Sequence, residues 1–571
     1  MKAQPYYICE GFPASEPKYM PVINFSYSDL CGLIGREVSK DVLRERLPMI
    51  GADMKSVQDD SDELSFEFFP DRPDLYSVEG IARALRAFLG YEPGLRSYAV
   101  GESEVEVRVD PSVKDVRPYI WSAIVEGNEI DDALIRSMMD LQEKLHITIG
   151  RNRRKVAIGI HDFRAVTPPF IYKAVLPDEI SFIPLQGTER MTPAEILLRH
   201  EKGMAYAFVL EGKERYPMIV DSEGEVLSFP PIINGIATAV TEETRDIFVD
   251  CTGTDINAVT SAINILTSAL AERGGKIKTV GIQTESGVHR APDLAPRLSP
   301  LNVGYVNQWI GTALKPDEIV DCLKRMGYGA RSDDPNSISV EIPPYRADIL
   351  HPVDLAEDVA IGYGFENFGG KLPRHATFGV EDSLISYAEK VRPVLIGLGY
   401  FEVATLSLSN PREQYALMNL PKDEGAIRVK NPVSADHCLL RTSLLPSLLA
   451  ILRKNKHREL PQRIFETGDV VIDGVNRTYL SGVSIHAKAS FTEGKSLIQS
   501  ICSALGMDAT VVADSSPSFI AGRAAGVVAG SNQLGVFGEL APSAVESFEL
   551  GYPIVAFELD LEALHRLRSG R

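Results

Sequence analysis

Four carboxylates fall within one short apolar segment of the sequence, PPYRADILHPVDLAEDVAIGYG. They are Asp348, Asp354, Glu357 and Asp358, and Arg346 is the only cation beside them. A proline at the first turn favours a helix that starts near His351 and runs through Tyr363. The last three acids then share one face, because residues three and four apart are neighbours on a helix. Oxygen ligands in this arrangement, with Asp348 reaching in from the preceding turn, suit a hard divalent cation such as magnesium.

A second interpretation of the same acids needs no metal. Carboxylates in the first turns of a helix complement the positive end of its dipole, at about 0.3–1 kcal/mol each. That effect accounts for Asp354, but it leaves the mutual repulsion of the neighbours Glu357 and Asp358 uncompensated. The residues by themselves leave both interpretations open.

Hydroxyl, amide and carboxylate side chains are also concentrated around the apolar run IFVDC. They are Ser228, Asn234, Thr241, Thr244, Asp246, Asp250, Thr252 and Thr254. Such density suits a polar pocket that selects a small ligand by its hydroxyl group, because a site built to pair a hydroxyl discriminates strongly. Ordinary turn and capping chemistry is the alternative. The sequence shows no convincing nucleophilic triad and no glycine-rich phosphate loop.

The net charge of −19 and the pI near 5.1 limit how this chain meets nucleic acid. Binding to phosphates needs a local excess of Lys and Arg, so any contact requires a basic patch or a more basic partner chain. The best candidate is GRNRRKVAIGIHD, with Arg151, Arg153, Arg154 and Lys155, and KNKHR from Lys454 to Arg458 is a weaker one. A solvated loop is the alternative for both.

Cysteine usage and hydropathy indicate a cytoplasmic protein. The six cysteines are scattered without a CxxC pair, which argues against a zinc site or a disulfide framework and favours a reducing compartment. No stretch approaches 18 consecutive apolar residues, so we expect no membrane span. The first residues lack the features of a signal peptide, and Met20 is an equally natural start.

The element pattern predicts an α+β protein of three to five domains. An alternating strand, SDELSFEFFP, precedes an amphipathic helix with apolar positions from Val78 to Leu85. Short strands interrupted by helices then extend to about residue 283. A compact winged-helix-like module with one strand, SISVEIPPYR, follows, and the last block combines helices with strand-like runs that include AIRVKNPVS.

Several long segments, in order, resemble the β subunit of phenylalanyl-tRNA synthetases of the archaeal and eukaryotic-cytosolic type. They include FFPDRPDLYSVEGIARALR, SFPPIING, VTEETRDIFVDCTGTD, IPPYRADILHPVDLAEDVAIGYG and FETGDVV. The resemblance implies an N-terminal α/β module, a B3/4-like editing domain, a winged-helix-like B5 domain and a degenerate class II antiparallel sheet domain without catalysis. We expect them at residues 21–94, 95–284, 285–370 and 371–571, after an N-terminal extension at residues 1–20.

The resemblance also implies a division of labour in an α2β2 tetramer. The α subunit ligates phenylalanine to tRNA(Phe) with ATP and Mg²⁺, and the β subunit hydrolyses mischarged Tyr-tRNA(Phe). The positions that match the family's magnesium ligands are Asp348, Asp354, Glu357 and Asp358. The editing pocket is expected at Ser228, Asp250 and Thr252, with Asn234 as a further candidate. A water oriented by the site attacks the ester, backbone donors hold the oxyanion, and Asp250 is the best candidate for the base.

The class II resemblance is incomplete. PQRIFETGDVV offers Arg463 and Glu466 in a motif that resembles the second class II signature, but the third signature has only a faint counterpart at Arg523.

Two other interpretations of the whole chain are a non-catalytic RNA-binding or regulatory scaffold derived from the family, and a self-sufficient metal hydrolase centred on the acidic segment.

Overall fold

The computed structural model describes residues 21–372, 377–422 and 425–569. The described chain divides into two compact units, one ending at Lys371 and the other starting at Leu372. The predicted extension at residues 1–20, with Cys9, lies outside the described residues.

The first unit begins with a three-stranded antiparallel sheet of order β1-β3-β2, flanked by helices. Its elements are β1 (Val22–Ser26), α1 (Tyr27–Ile34), α2 (Lys40–Arg46), β2 (Ala52–Val57), β3 (Glu63–Phe68) and α3 (Val78–Phe88). Strand β3 buries Leu64, Phe66 and Phe68 completely, as the alternation of its sequence predicts. The side chain of Ser77 caps α3, whose buried face also matches the sequence prediction.

An eleven-stranded sheet follows. Its strands are β4 (Val100–Gly101), β5 (Glu106–Val109), β6 (Tyr119–Glu126), β7 (Val156–Asp162), β8 (Phe170–Val175), β9 (Tyr216–Val220), β10 (Val226–Phe229), β11 (Ile233–Asn234), β12 (Ile247–Gly253), β13 (Lys276–Thr284) and β14 (Gly287–Ala291). The helices are α4 (Asp132–Ile147), α5 (Pro193–Arg199), α6 (Glu201–Tyr206) and α7 (Ile256–Glu272). Strand β12 lies between β6 and β7 and is buried along its whole length, so its polar residues are interior groups.

The first unit ends with a small three-stranded sheet covered by helices. Its elements are β15 (Arg297–Asn302), α8 (Val303–Ile310), α9 (Pro316–Arg325), β16 (Gly329–Asp334), β17 (Ser337–Ile342) and α10 (Pro352–Tyr363). The prediction of a single strand here is wrong, because β15 and β16 pair with the two edges of β17. Both outer strands are largely exposed and lack the apolar alternation that reveals β17.

Helix α10 confirms the predicted helix of the acidic segment, with His351 as its N-cap. It packs closely on α9, since a Cβ added at Gly362 would lie 2.4 Å from the carbonyl oxygen of Cys322. This close approach fixes the position of the acidic face of α10 relative to the small sheet.

The second unit is built on a seven-stranded sheet of order β18-β21-β22-β26-β25-β24-β23, antiparallel except where β18 pairs with β21. The strands of that sheet are β18 (Phe401–Glu402), β21 (Gln462–Ile472), β22 (Val475–Ile485), β23 (Thr510–Ala513), β24 (Phe519–Ala529), β25 (Asn532–Leu540) and β26 (Ile554–Asp560). A separate two-stranded sheet contains β19 (Leu408–Ser409) and β20 (Leu439–Leu440). The helices are α11 (Ser383–Gly397), α12 (Pro411–Gln414), α13 (Leu445–Lys454), α14 (Phe491–Ala504), α15 (Pro542–Ser547) and α16 (Leu561–Ser569).

One predicted strand of the second unit is wrong. The run AIRVKNPVS makes only an isolated bridge between Arg428 and Leu439. Most of its side chains are exposed, so the run has no apolar face to bury against the sheet.

Two expectations from composition can be compared with the described residues. None of the helices in those residues is both long enough and apolar enough to cross a lipid bilayer. Five of the six cysteines lie in the described ranges, and all five are free thiols.

Candidate functional site

A cavity of about 500 Å³ lies in the large sheet of the first unit, between helix α4 and strands β7, β10, β11 and β12. Four of the eight polar side chains of the dense stretch line it, namely Ser228, Asn234, Asp250 and Thr252, which are also the four expected in the editing pocket. We call it the polar cavity. The other four, Thr241, Thr244, Asp246 and Thr254, do not line it.

Strand register explains how these residues meet. Ser228 on β10 is paired directly with Asn234 on β11. Asp250 and Thr252 are two residues apart on β12, so they point to the same face of the sheet. Three of the four are almost fully buried, and Asn234 is half-buried.

Asp250 is held by a histidine that the sequence reasoning did not select. The Nε2 atom of His161 lies 2.8 Å from Asp250 Oδ2, and both side chains are buried. His161 is on β7, two residues from Gly159, which is paired with Asp250 in the sheet. A Cβ at Gly159 would lie 2.2 Å from Asp250 Oδ2 and 2.6 Å from His161 Nε2, so the contact depends on glycine there.

The other nitrogen of the imidazole also has a partner. The Thr238 hydroxyl lies 2.7 Å from His161 Nδ1 and 3.3 Å from the carbonyl oxygen of Gly235. Both ring nitrogens of His161 are therefore held by hydrogen bonds. A carboxylate coupled to an imidazole in this way is suited to general acid–base chemistry.

Thr252 is positioned by a buried arginine. Arg117 donates from Nε to Thr252 Oγ1 at 3.0 Å and from Nη2 to the carbonyl oxygen of Thr252 at 2.7 Å. Complete burial lowers the pKa of Arg117 to about 10. Its position beside Asp250 and Thr252 adds positive charge behind the polar cavity.

Arg153 is buried and therefore does not belong to the exposed basic patch that the sequence predicts. Residues 151–153 all have positive φ angles, and this left-handed turn directs Arg153 inward. Its guanidinium is 8 % exposed, donates to Glu143 at 2.9 Å and to the carbonyl oxygen of Ile232 at 2.9 Å, and lines the polar cavity. Arg151 and Arg154 remain exposed, whereas Lys155 is paired with Asp255 at 2.6 Å.

His146 joins helix α4 to strand β7 at the wall of the same cavity. Its Nε2 accepts the backbone N–H of Ile158 at 2.8 Å, so the Nδ1 atom carries the proton and faces Glu143. Burial lowers the pKa of His146 to about 4. The hydrogen bond from His146 and the charge of Arg153 hold the pKa of Glu143 well below its usual range.

Ser228 has a hydroxyl that the protein leaves unsatisfied. Its Oγ atom is buried and has no hydrogen-bond partner among the described residues. An unpaired buried hydroxyl costs about 1–3 kcal/mol, so native structures rarely keep one without a reason. A polar ligand group in the polar cavity would supply the missing partner.

The four predicted metal ligands line a second, smaller cavity of about 280 Å³, which is also lined by Asp71 and Arg72. We call it the acidic cavity. Asp354 accepts the backbone N–H groups of Leu350 and His351 at 2.7 and 2.6 Å, so it caps the start of α10 as well as complementing the helix dipole. A metal ion bound to Asp354 would therefore compete with helix capping.

Arg346 neutralises two of these acids. It donates to Asp348 from Nε at 2.9 Å and to Asp358 from Nη2 at 2.6 Å. The protein itself therefore compensates the charge of Asp358, and that carboxylate also accepts from the Tyr328 hydroxyl.

Glu357 is the acid that keeps an uncompensated charge. Its partial burial, and then the repulsion of Asp358 and Asp71, raise its pKa. Within the described ranges, no group of three or more His, Cys, Asp or Glu side chains already has a geometry that could hold a metal ion. The donor types suit magnesium, but Asp348 and Asp358 would have to share their oxygens with Arg346.

The two candidate arginines of the second unit, Arg463 and Arg523, lie beside carboxylates, and so does Arg441, which the sequence analysis did not select. Arg441 pairs with Glu466 at 2.9 Å, and both are buried. Arg523 pairs with Glu539 at 2.7 Å, and Arg463 lies 3.9 Å from Glu493. A guanidinium with a carboxylate partner has less charge to offer a phosphate.

The comparisons with known proteins define the class of protein. Residues 300–365 match the tRNA synthetase B5 domain, residues 128–282 match the B3/4 domain, and residues 371–561 match the phenylalanyl tRNA synthetase beta chain CLM domain. These are the modules of a multidomain aminoacyl-tRNA synthetase subunit.

Similar full-length proteins identify the family within that class. The chain is 46 % identical over 542 residues to the phenylalanine–tRNA ligase beta subunit of Methanothrix thermoacetophila, covering 95 % of this chain and 100 % of that one. The same subunit of Archaeoglobus fulgidus is 46 % identical over 546 residues, with 95 % and 98 % covered. The chain belongs to the family of phenylalanine–tRNA ligase beta subunits.

A solved structure agrees with this assignment. An N-terminal fragment of the phenylalanyl-tRNA synthetase beta subunit from Pyrococcus horikoshii is 40 % identical to this chain and superposes with a TM-score of 0.58. The match covers 60 % of this chain and all of the fragment.

Proposed function

We propose that this chain is the proofreading and architectural subunit of a phenylalanine–tRNA ligase, and that it hydrolyses Tyr-tRNA(Phe) in the polar cavity. The observation that carries the proposal is the convergence of Ser228, Asn234, Asp250 and Thr252 on one cavity, with His161 directly behind Asp250. The cavity lies in the region that matches the B3/4 domain.

The reaction needs a base for water and an acid for the leaving oxygen. Asp250 lines the cavity and takes a proton from the attacking water, which neutralises its carboxylate, and the hydrogen bond to His161 holds that carboxylate in place. The water oxygen bonds to the ester carbonyl carbon, the carbon–oxygen bond to the ribose breaks, and the ribose oxygen receives the proton. Tyrosine and tRNA(Phe) are the products.

Selectivity for tyrosine rests on its hydroxyl. The unpaired Oγ of Ser228 and the amide of its strand neighbour Asn234 are the groups that would pair with it. Phenylalanine lacks this partner and would leave the buried polar group unsatisfied, a penalty that favours strong discrimination.

The decisive variant is Asp250→Asn, which keeps the side-chain volume and removes the base. We expect hydrolysis of preformed Tyr-tRNA(Phe) by the assembled enzyme to fall about 10²–10⁴-fold, the usual contribution of a general base. Charging of tRNA(Phe) with phenylalanine should be unchanged. Both rates are measured with labelled amino acids on the same preparation.

Asp246→Asn is the matched control, because Asp246 immediately precedes the same strand but does not line the polar cavity. Its hydrolysis rate should equal that of the wild type. Equal rates for Asp250→Asn and the wild type would refute the assignment of Asp250 and of the cavity.

The same proposal places ATP-dependent charging in a partner α subunit, in an α2β2 tetramer in the cytoplasm. The carboxylate partners of Arg441, Arg463 and Arg523 support a sheet in the second unit that does not clamp ATP. The chain's net charge of −19 supports a more basic partner for tRNA binding.

We further propose that Mg²⁺ binds the acidic cavity through Glu357, Asp348, Asp354 and Asp358. The raised pKa of Glu357 supports it, since a divalent cation would remove the repulsion that causes the shift. Bound there, the ion would offset the mutual repulsion of the acids in the first turns of α10.

A further inference from the structure

A third cavity, of about 190 Å³, lies where α3 of the N-terminal module meets the small three-stranded module. Five arginines line it: Arg72, Arg83, Arg86, Arg96 and Arg346. Only two acids, Asp74 and Glu92, are in the same lining. We call it the arginine cavity. Like charges this close are unfavourable unless counter-ions offset them, so each guanidinium needs a partner.

Two of the arginines have their charge satisfied by the protein. Arg72 makes a bidentate pair with Asp74 at 2.8 and 2.9 Å. Arg86 pairs with Glu272, a buried carboxylate that also accepts from Tyr98. These two are therefore part of the framework of the cavity.

Arg83 has no carboxylate partner among the described residues. It is 5 % exposed, stacks 3.7 Å from the ring of Tyr345, and donates Nη1 to the hydroxyls of Tyr98 and Ser268 at 3.2 Å. Asp74 and Glu272 act on its charge only from a longer distance, and these carboxylates are paired with Arg72 and Arg86. Arg96, half-exposed at the cavity rim, is 3.7 Å from both Glu92 and Glu272.

Arg346 has a donor without an acceptor. Its Nε and Nη2 atoms reach Asp348 and Asp358, which face the acidic cavity on the other side. Its Nη1 atom is buried and has no hydrogen-bond partner in the described residues, and the side chain as a whole is 5 % exposed. A charged donor left unpaired is one of the more costly defects a protein interior can have.

We propose that the arginine cavity binds a small tetrahedral oxyanion of the phosphate class. Planar guanidinium groups match the oxygens of phosphate in a bidentate manner, and an anion here would compensate Arg83 and give Arg346 an acceptor. The volume has room for one such anion with part of its hydration shell. The space is a small pocket and not a groove that could follow a polynucleotide strand, so the occupant is a free anion.

Inorganic phosphate is the probe. The assembled full-length protein is titrated with sodium phosphate against sodium chloride of equal ionic strength, by calorimetry and by the midpoint of thermal unfolding. We expect one saturable site per chain. Arg83→Gln should weaken it about tenfold, the loss of roughly one charge-assisted hydrogen bond, and Arg96→Gln several-fold because that residue is half-exposed.

Arg44→Gln is the matched control, since Arg44 is in the same module, pairs with Asp41 and Asp59, and does not line the arginine cavity. Its affinity should equal that of the wild type. If Arg83→Gln does not fold, Arg96→Gln and a crystal soaked with tungstate, located by anomalous scattering, test the same site.

Four outcomes would overturn the proposal. The first three are the absence of saturable binding, equal affinity in the wild type and both arginine variants, and tungstate found only elsewhere. Displacement of phosphate by a short oligonucleotide would also overturn it, because the site would then take a nucleic-acid phosphate instead of a free anion.

Discussion

The contact between Asp250 and His161 exists because residue 159 has no side chain. Asp250 reaches Gly159 across the pairing of β12 with β7, and His161 reaches it from two residues along β7, both within distances that no Cβ could tolerate. Glycine inside a strand normally weakens it, so its presence often marks a close approach of other groups.

We predict that Gly159→Ala reduces hydrolysis of Tyr-tRNA(Phe) at least tenfold, because the added methyl group must displace Asp250 or His161. The measurement is deacylation of preformed substrate by the assembled enzyme. Gly397→Ala is the control, since an added Cβ there meets nothing within 4 Å. Full deacylation activity in Gly159→Ala would show that the pair does not take part.

Burial of His146 predicts an acid-sensitive wall of the polar cavity. Its pKa is about 4 in the folded chain and 6.5 as the ordinary value, so between these values the unfolded chain binds a proton that the folded chain does not. Stability is therefore lost as the pH falls from about 6.5 to about 4, by up to about 3 kcal/mol from this group.

We expect His146→Gln to flatten this pH dependence, measured as the urea midpoint from tryptophan fluorescence at several pH values. The exposed His289, changed to Gln, should leave the dependence as it is in the wild type. An equally steep loss of stability in His146→Gln and the wild type would contradict the assignment.

At the scale of elements, helix α10 combines a close packing face with an acidic face. Gly362 lets it approach α9, and Asp354 caps its first turn. The helix therefore holds Glu357 in a fixed position in the acidic cavity, where Asp358 and Asp71 repel its charge.

The sign of the pKa shift predicts how Glu357→Gln behaves. A raised folded pKa means that the ionised form is disfavoured, so stability falls as the pH rises through that pKa. Without Mg²⁺ the variant should unfold at a slightly higher temperature than the wild type at pH 7. The increase in unfolding temperature caused by MgCl₂ should be lost.

Glu366→Gln serves as the comparison, because Glu366 follows α10, pairs with Arg46 and does not line the acidic cavity. It should keep the full response to MgCl₂. An undiminished Mg²⁺ response in Glu357→Gln would remove this residue from the proposed metal site.

At the scale of the whole molecule, the chain combines an excess of acidic charge with a sheet whose arginines are already paired. We predict that the chain purified alone shows no phenylalanine-dependent exchange between ATP and pyrophosphate, and that addition of the α subunit restores the exchange. The reconstituted tetramer is the positive control. Exchange by the lone chain would refute the proposed division of labour.

The sequence by itself determined the elements whose signals are local. Pro352 and the helical spacing of the acids located α10, and the alternation of Leu64, Phe66 and Phe68 located β3. Four of the eight polar residues around IFVDC line one cavity, and the sequence indicates their local pairs, because period-two spacing on one strand and pairing across one hairpin are short-range properties. The family was also recognisable from the sequence, because the segments that resemble it are continuous stretches of the chain.

Only the tertiary structure decided which distant groups meet. His161 and Asp250 are 89 residues apart in the chain, and their contact depends on the pairing of β7 with β12. The sequence predicts Arg153 at the surface, but a left-handed turn directs it inward. Strands β15 and β16 were not predicted, because they are recognisable as strands only from their pairing with β17. Periodicity reports which face of an element is apolar, whereas the partner of that face is set by packing of the whole chain.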